Sequence, residues 1–171
     1  MFKNVMVYRI GEGFAPTLAD VQAALEPVQF VECGASQEKS IGWIPPRGEA
    51  HGPLVESVSG QWILKLMIES KAVPGNVVRR KVDERVAEIE AATGRKPGKK
   101  EKRDLMDDAL LSLLPQAFAR QSTVLVWMDL ENRRLVLNAG SQGKADEVMS
   151  ALMNVMAGLS VNLIQTVTSP Q

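Results

Sequence analysis

An acid and a lysine stand two residues apart in Glu69-Ser70-Lys71, at the end of a predicted strand. A metal-dependent nuclease needs such groups, because converging carboxylates hold the metal on the scissile phosphate while a basic group supports the attacking water. No aspartate lies between Asp20 and Asp83, so Glu56 would have to complete the set. Since so short a motif also arises by chance, a nuclease is kept only as an alternative.

Other catalytic chemistry has little support in the sequence. Cys33 is the only cysteine and His51 the only histidine, which disfavours a zinc site, a disulfide framework and a histidine-activated nucleophile. Gly11-Glu12-Gly13 is too short for a phosphate-binding glycine loop. We therefore expect no catalytic residue, no metal and no cofactor.

Basic residues are concentrated in one segment of 25 residues. Between positions 79 and 103 lie ten of the twenty Lys and Arg residues but only five of the twenty Asp and Glu residues. The ten are Arg79, Arg80, Lys81, Arg85, Arg95, Lys96, Lys99, Lys100, Lys102 and Arg103. Because the whole chain has no net charge, the remainder is acidic, and such a dipolar protein is suited to gripping DNA phosphates with one surface.

The same charges also fit two other interpretations. Glu and Arg residues at helical spacing, such as Arg80 with Glu84, are typical of a solvated helix surface with partial i,i+4 pairing. A basic hairpin could instead dock on an acidic protein partner. The charge pattern alone does not decide between these interpretations.

Hydrophobic periodicity predicts that the basic segment is a helical hairpin. Asn76 is a plausible N-cap, and an apolar stripe including Val78 and Val82 runs from there to Gly94, which is placed to end the helix. A second helix is expected from near Gly98 to the break at Pro115, antiparallel to the first. Its many charges predict that the pair projects as a lobe.

The rest of the chain alternates between strand and helix patterns. The predicted strands are Phe2–Ile10, Val28–Cys33, Gln61–Glu69, a hairpin that starts at Thr123 and turns at Glu131-Asn132, and Ser160–Thr168. The predicted helices are Thr17–Glu26 and Ala145–Ala157. Prolines and glycines predict a structured loop over 41–54. The fold class is therefore α+β: an antiparallel-rich sheet with flanking helices and an inserted, projecting basic α-helical hairpin.

Three residues outside the basic segment could contribute to binding. Trp43, next to two prolines, is expected to anchor its loop on the core. Phe118 and Arg120 follow the Pro115 break, where they could meet a nucleic-acid backbone or a partner subunit. Burial of Phe118 in the core is an equal alternative.

The N-terminus is unlike a signal peptide, because Lys3 and Arg9 interrupt its apolar pattern. No stretch approaches the roughly 20 apolar residues that span a bilayer. We expect a soluble protein in a reducing cytoplasm that does not bind membranes.

Four ordered segments resemble the N-terminal part of the RdgC family of bacterial recombination-associated proteins. They are FKNVMVYR at 2–9, IGWIPP at 41–46, SLLPQAFAR at 112–120 and VWMD at 126–129. Their order, with the basic segment in the matching place, makes the resemblance specific.

The resemblance implies a nucleoid-associated protein that binds double-stranded DNA without sequence preference, needs no cofactor and restrains the RecA recombinase by occupying DNA. It implies a ring-shaped homodimer with contacts at a helical tip and at a base. Mapped here, 1–74 with 115–171 form the central domain and 75–114 the tip, with Phe118 supporting a subunit contact and Arg120 joining the ten basic residues on DNA. Family members usually continue beyond the equivalent of Gln171, so the base contact is expected to be missing.

Overall fold

The computed structural model describes residues 4–164, and their strands form one seven-stranded sheet. The strands are β1 Met6–Ile10, β2 Lys39–Ile44, β3 Val55–Val58, β4 Gln61–Lys71, β5 Ala119–Asp129, β6 Arg134–Leu137 and β7 Val161–Leu163. Their order is β2-β4-β5-β6-β1-β7, and β3 pairs with β4. The pairings β1 with β6, β1 with β7, β3 with β4 and β5 with β6 are antiparallel.

Four α-helices accompany the sheet within the described residues. They are α1 Leu18–Leu25, α2 Gly75–Thr93, α3 Lys99–Leu113 and α4 Gln142–Val155. Helix α1 begins at a capping box, in which the Thr17 hydroxyl accepts the Asp20 N–H and the Asp20 carboxylate accepts the Thr17 N–H. The sheet and its accompanying helices confirm the predicted α+β class. No helix within residues 4–164 is long and apolar enough to cross a lipid bilayer.

The chain divides into two compact units. The first unit comprises 4–31, 41–68 and 122–164 of the described chain. Its core is built from alternate strand residues and one face of α4, and Leu64, Val126, Leu137 and Leu152 are fully inaccessible to solvent. Trp43 belongs to this core with 2% of its surface exposed, as the sequence predicts.

The second unit comprises Glu32–Ser40 and Glu69–Gln121 and contains the basic helices. Helices α2 and α3 pack together through a small cluster of Val78, Val82 and Ala109. The domain boundaries expected from the sequence, 1–74 with 115–171 and 75–114, stay a prediction.

The predicted strand Val28–Cys33 is wrong. Pro27 lies in a 3₁₀ turn, Glu26–Val28, and only Gln29 beyond it makes a single bridge, to Trp43. A strand, β2, instead occupies part of the segment that was expected to be a loop. Pro45 does not prevent this strand but follows its last residue, Ile44. Gly42 permits this close pairing, since a Cβ there would lie 2.3 Å from Phe30 Cα.

The boundaries of the other elements differ by a few residues. Helix α2 begins at Gly75 after Pro74, so Asn76 lies inside the helix and is not its N-cap. Gly94 ends α2 as predicted. Strand β3 has no counterpart in the sequence prediction. The predicted strand residues 2–3 and 165–168 lie outside the described residues.

Candidate nucleic-acid interface

The basic residues lie in the first half of α2, in the turn between α2 and α3, and at the start of α3. Gly94 adopts a left-handed conformation with φ of 70°, and its N–H donates to the Glu90 carbonyl, which closes α2 and reverses the chain. Pro97 is buried in the turn, and α3 begins directly after Gly98. The hairpin therefore places one basic group at its turn and a second on α2.

We call the first set the turn group and the second the α2 group. The turn group is Arg95, Lys96, Lys99, Lys100, Lys102 and Arg103, and the α2 group is Arg79, Arg80, Lys81 and Arg85. All ten side chains are exposed. At a rise of 1.5 Å per residue, the start of the α2 group lies about 20 Å along the helix from the turn.

Acidic partners occupy only three of these ten cations. Arg95 binds Glu101 through two hydrogen bonds of 2.9 and 3.3 Å, which lower the pKa of the Glu101 carboxyl. Arg85 lies 2.5 Å from Glu88, and Lys96 lies 3.7 Å from Glu90. Within residues 4–164 the other seven have no acidic group within 4 Å. They are Arg79, Arg80, Lys81, Lys99, Lys100, Lys102 and Arg103.

The start of α3 carries cations at the end of a helix that disfavours them. Lys99, Lys100, Lys102 and Arg103 lie in its first two turns, where Glu101 is the acidic residue of the first turn. The amide groups exposed at a helix N-terminus carry partial positive charge, so cations there are unfavourable and anions are favoured. In residues 4–164, the four turn-group cations at the start of α3 thus have no acidic group within 4 Å, whereas Arg95 and Lys96 are paired.

The α2 group is partly offset by α3. Lys81 and Arg85 line a groove of about 230 Å³ together with Asp108 and Ser112. Asp108 therefore reduces the positive potential beside Lys81 and Arg85.

Phe118 and Arg120 lie beside a separate apolar groove of the second unit. Phe118 is 92% exposed, so the alternative that it is buried in the core is wrong. The groove holds about 500 Å³ and is lined in part by Val73, Val77 and Leu113, with Arg120 at its rim.

The acid and the lysine of Glu69-Ser70-Lys71 are both engaged with the protein itself. Glu69 is 2% exposed, and its two carboxylate oxygens accept the Cys33 N–H and the Gln121 side-chain amide, each at 2.6 Å. Both hydrogen bonds lower the pKa of Glu69, and the bond from Gln121 has the larger effect. The Lys71 ammonium donates to the Gly34 carbonyl at 2.9 Å. Nothing in the spacing of Cys33, Glu69 and Gln121 signals this linkage in the sequence.

The proposed metal set is not assembled. Glu56, which would complete it, forms an ion pair with Arg47. In the part of the chain that the structure describes, no three His, Cys, Asp or Glu side chains are grouped as metal ligands.

The chain thus belongs to the class of α+β proteins and carries a basic helical hairpin. Comparison with known proteins identifies its family. A family model described as "Putative exonuclease, RdgC" matches residues 1–171. The chain belongs to the RdgC family, as the four sequence segments predict.

Curated relatives carry the name recombination-associated protein RdgC. The protein of Dechloromonas aromatica is 35% identical over 99% of this chain and 55% of its own length. That of Herminiimonas arsenicoxydans is 36% identical over 99% of this chain and 56% of its own length. That of Salmonella typhimurium is 32% identical over 94% of this chain and 53% of its own length. The chain therefore spans about half the length of these relatives.

Proposed function

We propose that this chain is a non-catalytic recombination protein that binds double-stranded DNA without sequence preference through its helical hairpin. By occupying DNA in the nucleoid it would restrain RecA, as its family resemblance implies. The observation that carries the proposal is the set of seven exposed cations that have no acidic group within 4 Å in the described residues. Each cation that neutralises a DNA phosphate releases condensed counterions, which drives binding.

The geometry of the hairpin supports a backbone contact rather than a base contact. The start of the α2 group lies about 20 Å along the helix from the turn, so the basic residues extend over a length that corresponds to roughly six base pairs of duplex. Lysine and arginine contacts to phosphate fix the position of a protein on DNA but carry no sequence information. Affinity should therefore be nearly the same for duplexes of different sequence.

Fluorescence anisotropy with labelled duplexes tests which cations bind. Changing Lys99, Lys100, Lys102 and Arg103 together to alanine should weaken binding to all sequences alike and reduce the log–log salt slope by up to about 3.6, at about 0.9 per phosphate contact. The control variant changes the three paired cations, Arg85, Arg95 and Lys96, and should reduce the slope by less. An unchanged affinity in the first variant would place the phosphate contacts elsewhere.

A metal-dependent nuclease is the alternative from the sequence, and the description of the family model names an exonuclease. The hydrogen bonds to both oxygens of Glu69 favour a structural role for this carboxylate instead. Incubating labelled linear DNA with magnesium or manganese separates the two functions, with Glu69→Gln beside the original chain. Cleavage that Glu69→Gln abolishes would establish the nuclease, whereas intact DNA would end that hypothesis.

Docking of the hairpin on an acidic protein is the third candidate from the sequence. Here an acidic protein would compete with duplex DNA for the turn group, and the binding of that protein would be lost in the Lys99 to Arg103 alanine variant.

A further inference from the structure

A second basic surface lies in the first unit, on strands β1 and β6. Arg9 and Arg134 occupy directly opposite positions of this antiparallel pair. Directly opposite residues project from the same face of a sheet, and like charges so placed repel each other. Both side chains are exposed. Their face is the one opposite to that of Tyr8 and Leu135, which are buried in the core.

Neighbouring acids neutralise this pair only in part. Within residues 4–164 neither Arg9 nor Arg134 has an acidic oxygen within 4 Å. Asp129 is opposite Arg134 on β5, and its carboxylate accepts the N–H of Asn132 at 3.0 Å and the side-chain amide of Asn132 at 2.8 Å. These two hydrogen bonds, and after them the charge of Arg134, lower the pKa of Asp129, so Asp129 offsets part of the Arg134 charge. On the far side, Arg9 is opposite the uncharged Asn162.

A third arginine is fixed beside the pair by the β5–β6 turn. Arg133 has a φ of 54°, a left-handed conformation that is strained for a residue with a side chain. Its guanidinium donates to the carbonyls of Gly11 at 3.1 Å and of Phe14 at 3.0 Å. The turn is therefore held in one geometry.

The three arginines line one open cavity of about 1120 Å³. Glu12 is the acidic residue among the lining residues that the structure describes, so the cavity has an excess of positive charge. Val7 is two residues before Arg9 on β1, so it projects from the same face of the sheet, and it also lines the cavity. Guanidinium groups bind phosphate oxygens through paired hydrogen bonds, so this arrangement suits a phosphate group.

We propose that Arg9 and Arg134 form a second phosphate-binding site, which contacts the backbone of bound DNA independently of the hairpin. A phosphate between the two guanidinium groups would turn their mutual repulsion into shared attraction. The inference rests on the proposed DNA-binding function for its ligand, but not on the hairpin for its chemistry.

The test compares single-charge variants in the DNA titration. Arg9→Gln and Arg134→Gln should each reduce the salt slope by about 0.9, and the double variant by about 1.8. The matched control is Lys144→Gln, which removes an exposed cation from α4 and should leave the slope unchanged. Arg9→Lys with Arg134→Lys should retain most of the slope, because the charges remain.

A second readout does not require DNA. Inorganic phosphate should raise the melting temperature of the original chain more than that of the double glutamine variant. Without phosphate the double variant should melt close to the original chain, since the substitution removes both the repulsion between the arginines and the attraction of Arg134 to Asp129. A double variant with the original salt slope and the original response to phosphate would overturn the proposal.

These readouts separate the two proposals. If the hairpin variant binds DNA normally and the double glutamine variant does not, the hairpin proposal fails while the arginine site stands. If the original chain binds no DNA, the response to phosphate and its loss in the double variant decide the arginine site alone. If only the hairpin variant loses affinity and phosphate has no arginine-dependent effect, the arginine site is refuted.

Discussion

Glu69 shows how far residue types and spacing can carry a functional prediction. Its place in an acid-x-lysine motif at a strand end suggests metal chemistry, and only the structure shows that Cys33 and Gln121, distant in sequence, donate to its carboxylate. Cys33 lies 36 positions before Glu69 in the sequence, and Gln121 lies 52 positions after it. No local sequence pattern encodes contacts over such separations. The motif was therefore visible in the sequence, whereas its structural role was not.

The pH dependence of stability should report this role of Glu69. Its pKa is lowered in the folded chain, so the carboxylate stabilises the fold above its unfolded pKa of about 4.3, and this contribution is lost as the pH falls through the lower folded value. We expect Glu69→Gln to lower the melting temperature by several degrees at pH 7, because the amide cannot accept both hydrogen bonds. The difference between variant and original should begin to shrink as the pH falls below the unfolded pKa and should disappear below the lowered folded pKa.

Glu84→Gln is the control. Because Glu84 is exposed, this substitution should have little effect on the melting temperature between pH 7 and pH 3. A Glu69→Gln difference that is constant from pH 7 to pH 3 would show that the ionised carboxylate is not what stabilises this region.

Cys33 should react slowly with alkylating reagents. Burial raises the pKa of its thiol, and the hydrogen bond to Glu69 and the Glu69 charge raise it further. Because the thiolate is the nucleophile, iodoacetamide at pH 7.5 should modify Cys33 more slowly in the folded chain than in guanidinium-unfolded chain. Equal rates in the two states would contradict this environment for Cys33.

At the scale of elements, the sequence predicted the hairpin well because its signals are local. The apolar stripe on α2, Gly94 at its end and Gly98 before α3 each specify structure through neighbouring residues. The error at Val28–Cys33 has a tertiary cause. Gly42 allows β2 to lie close to that segment, but the two make only the single bridge between Gln29 and Trp43 among the described residues, and such contacts between distant segments have no local signal.

The reversal at Gly94 gives a test of the hairpin. Gly94→Ala should destabilise the chain by about 1 kcal/mol, because a side chain is unfavourable at a φ of 70°. Gly75→Ala is the matched control. Its Cβ would meet nothing within 4 Å and Gly75 has no positive φ, so it should be neutral or slightly stabilising. Urea unfolding measures both, and equal midpoints for the two variants would contradict the assigned turn.

At the scale of the whole molecule, the ring-shaped homodimer that the family resemblance implies stays a prediction. The chain covers 55% of the Dechloromonas aromatica relative, so the activity and assembly of the full-length protein are proposals here. Phe118, almost fully exposed beside an apolar groove, is the proposed subunit contact within the second unit.

Light scattering with and without DNA tests this contact. If Phe118 supports a homodimer, the original chain should show a dimer mass, and Phe118→Ala should shift the mass toward the monomer at equal concentration. Met153→Ala is the control, because Met153 is 53% exposed on α4 in the first unit. A monomeric original chain, or a variant with an unchanged dimer mass, would refute the role of Phe118.

The most direct test of the central claim is the affinity of the original chain for two unrelated duplexes at several salt concentrations. DNA binding through phosphates predicts that log K falls linearly with log salt, with a slope of about −0.9 for each phosphate contacted, and that both duplexes give the same line. Absent binding, salt-insensitive binding or a strong preference for one duplex would contradict it.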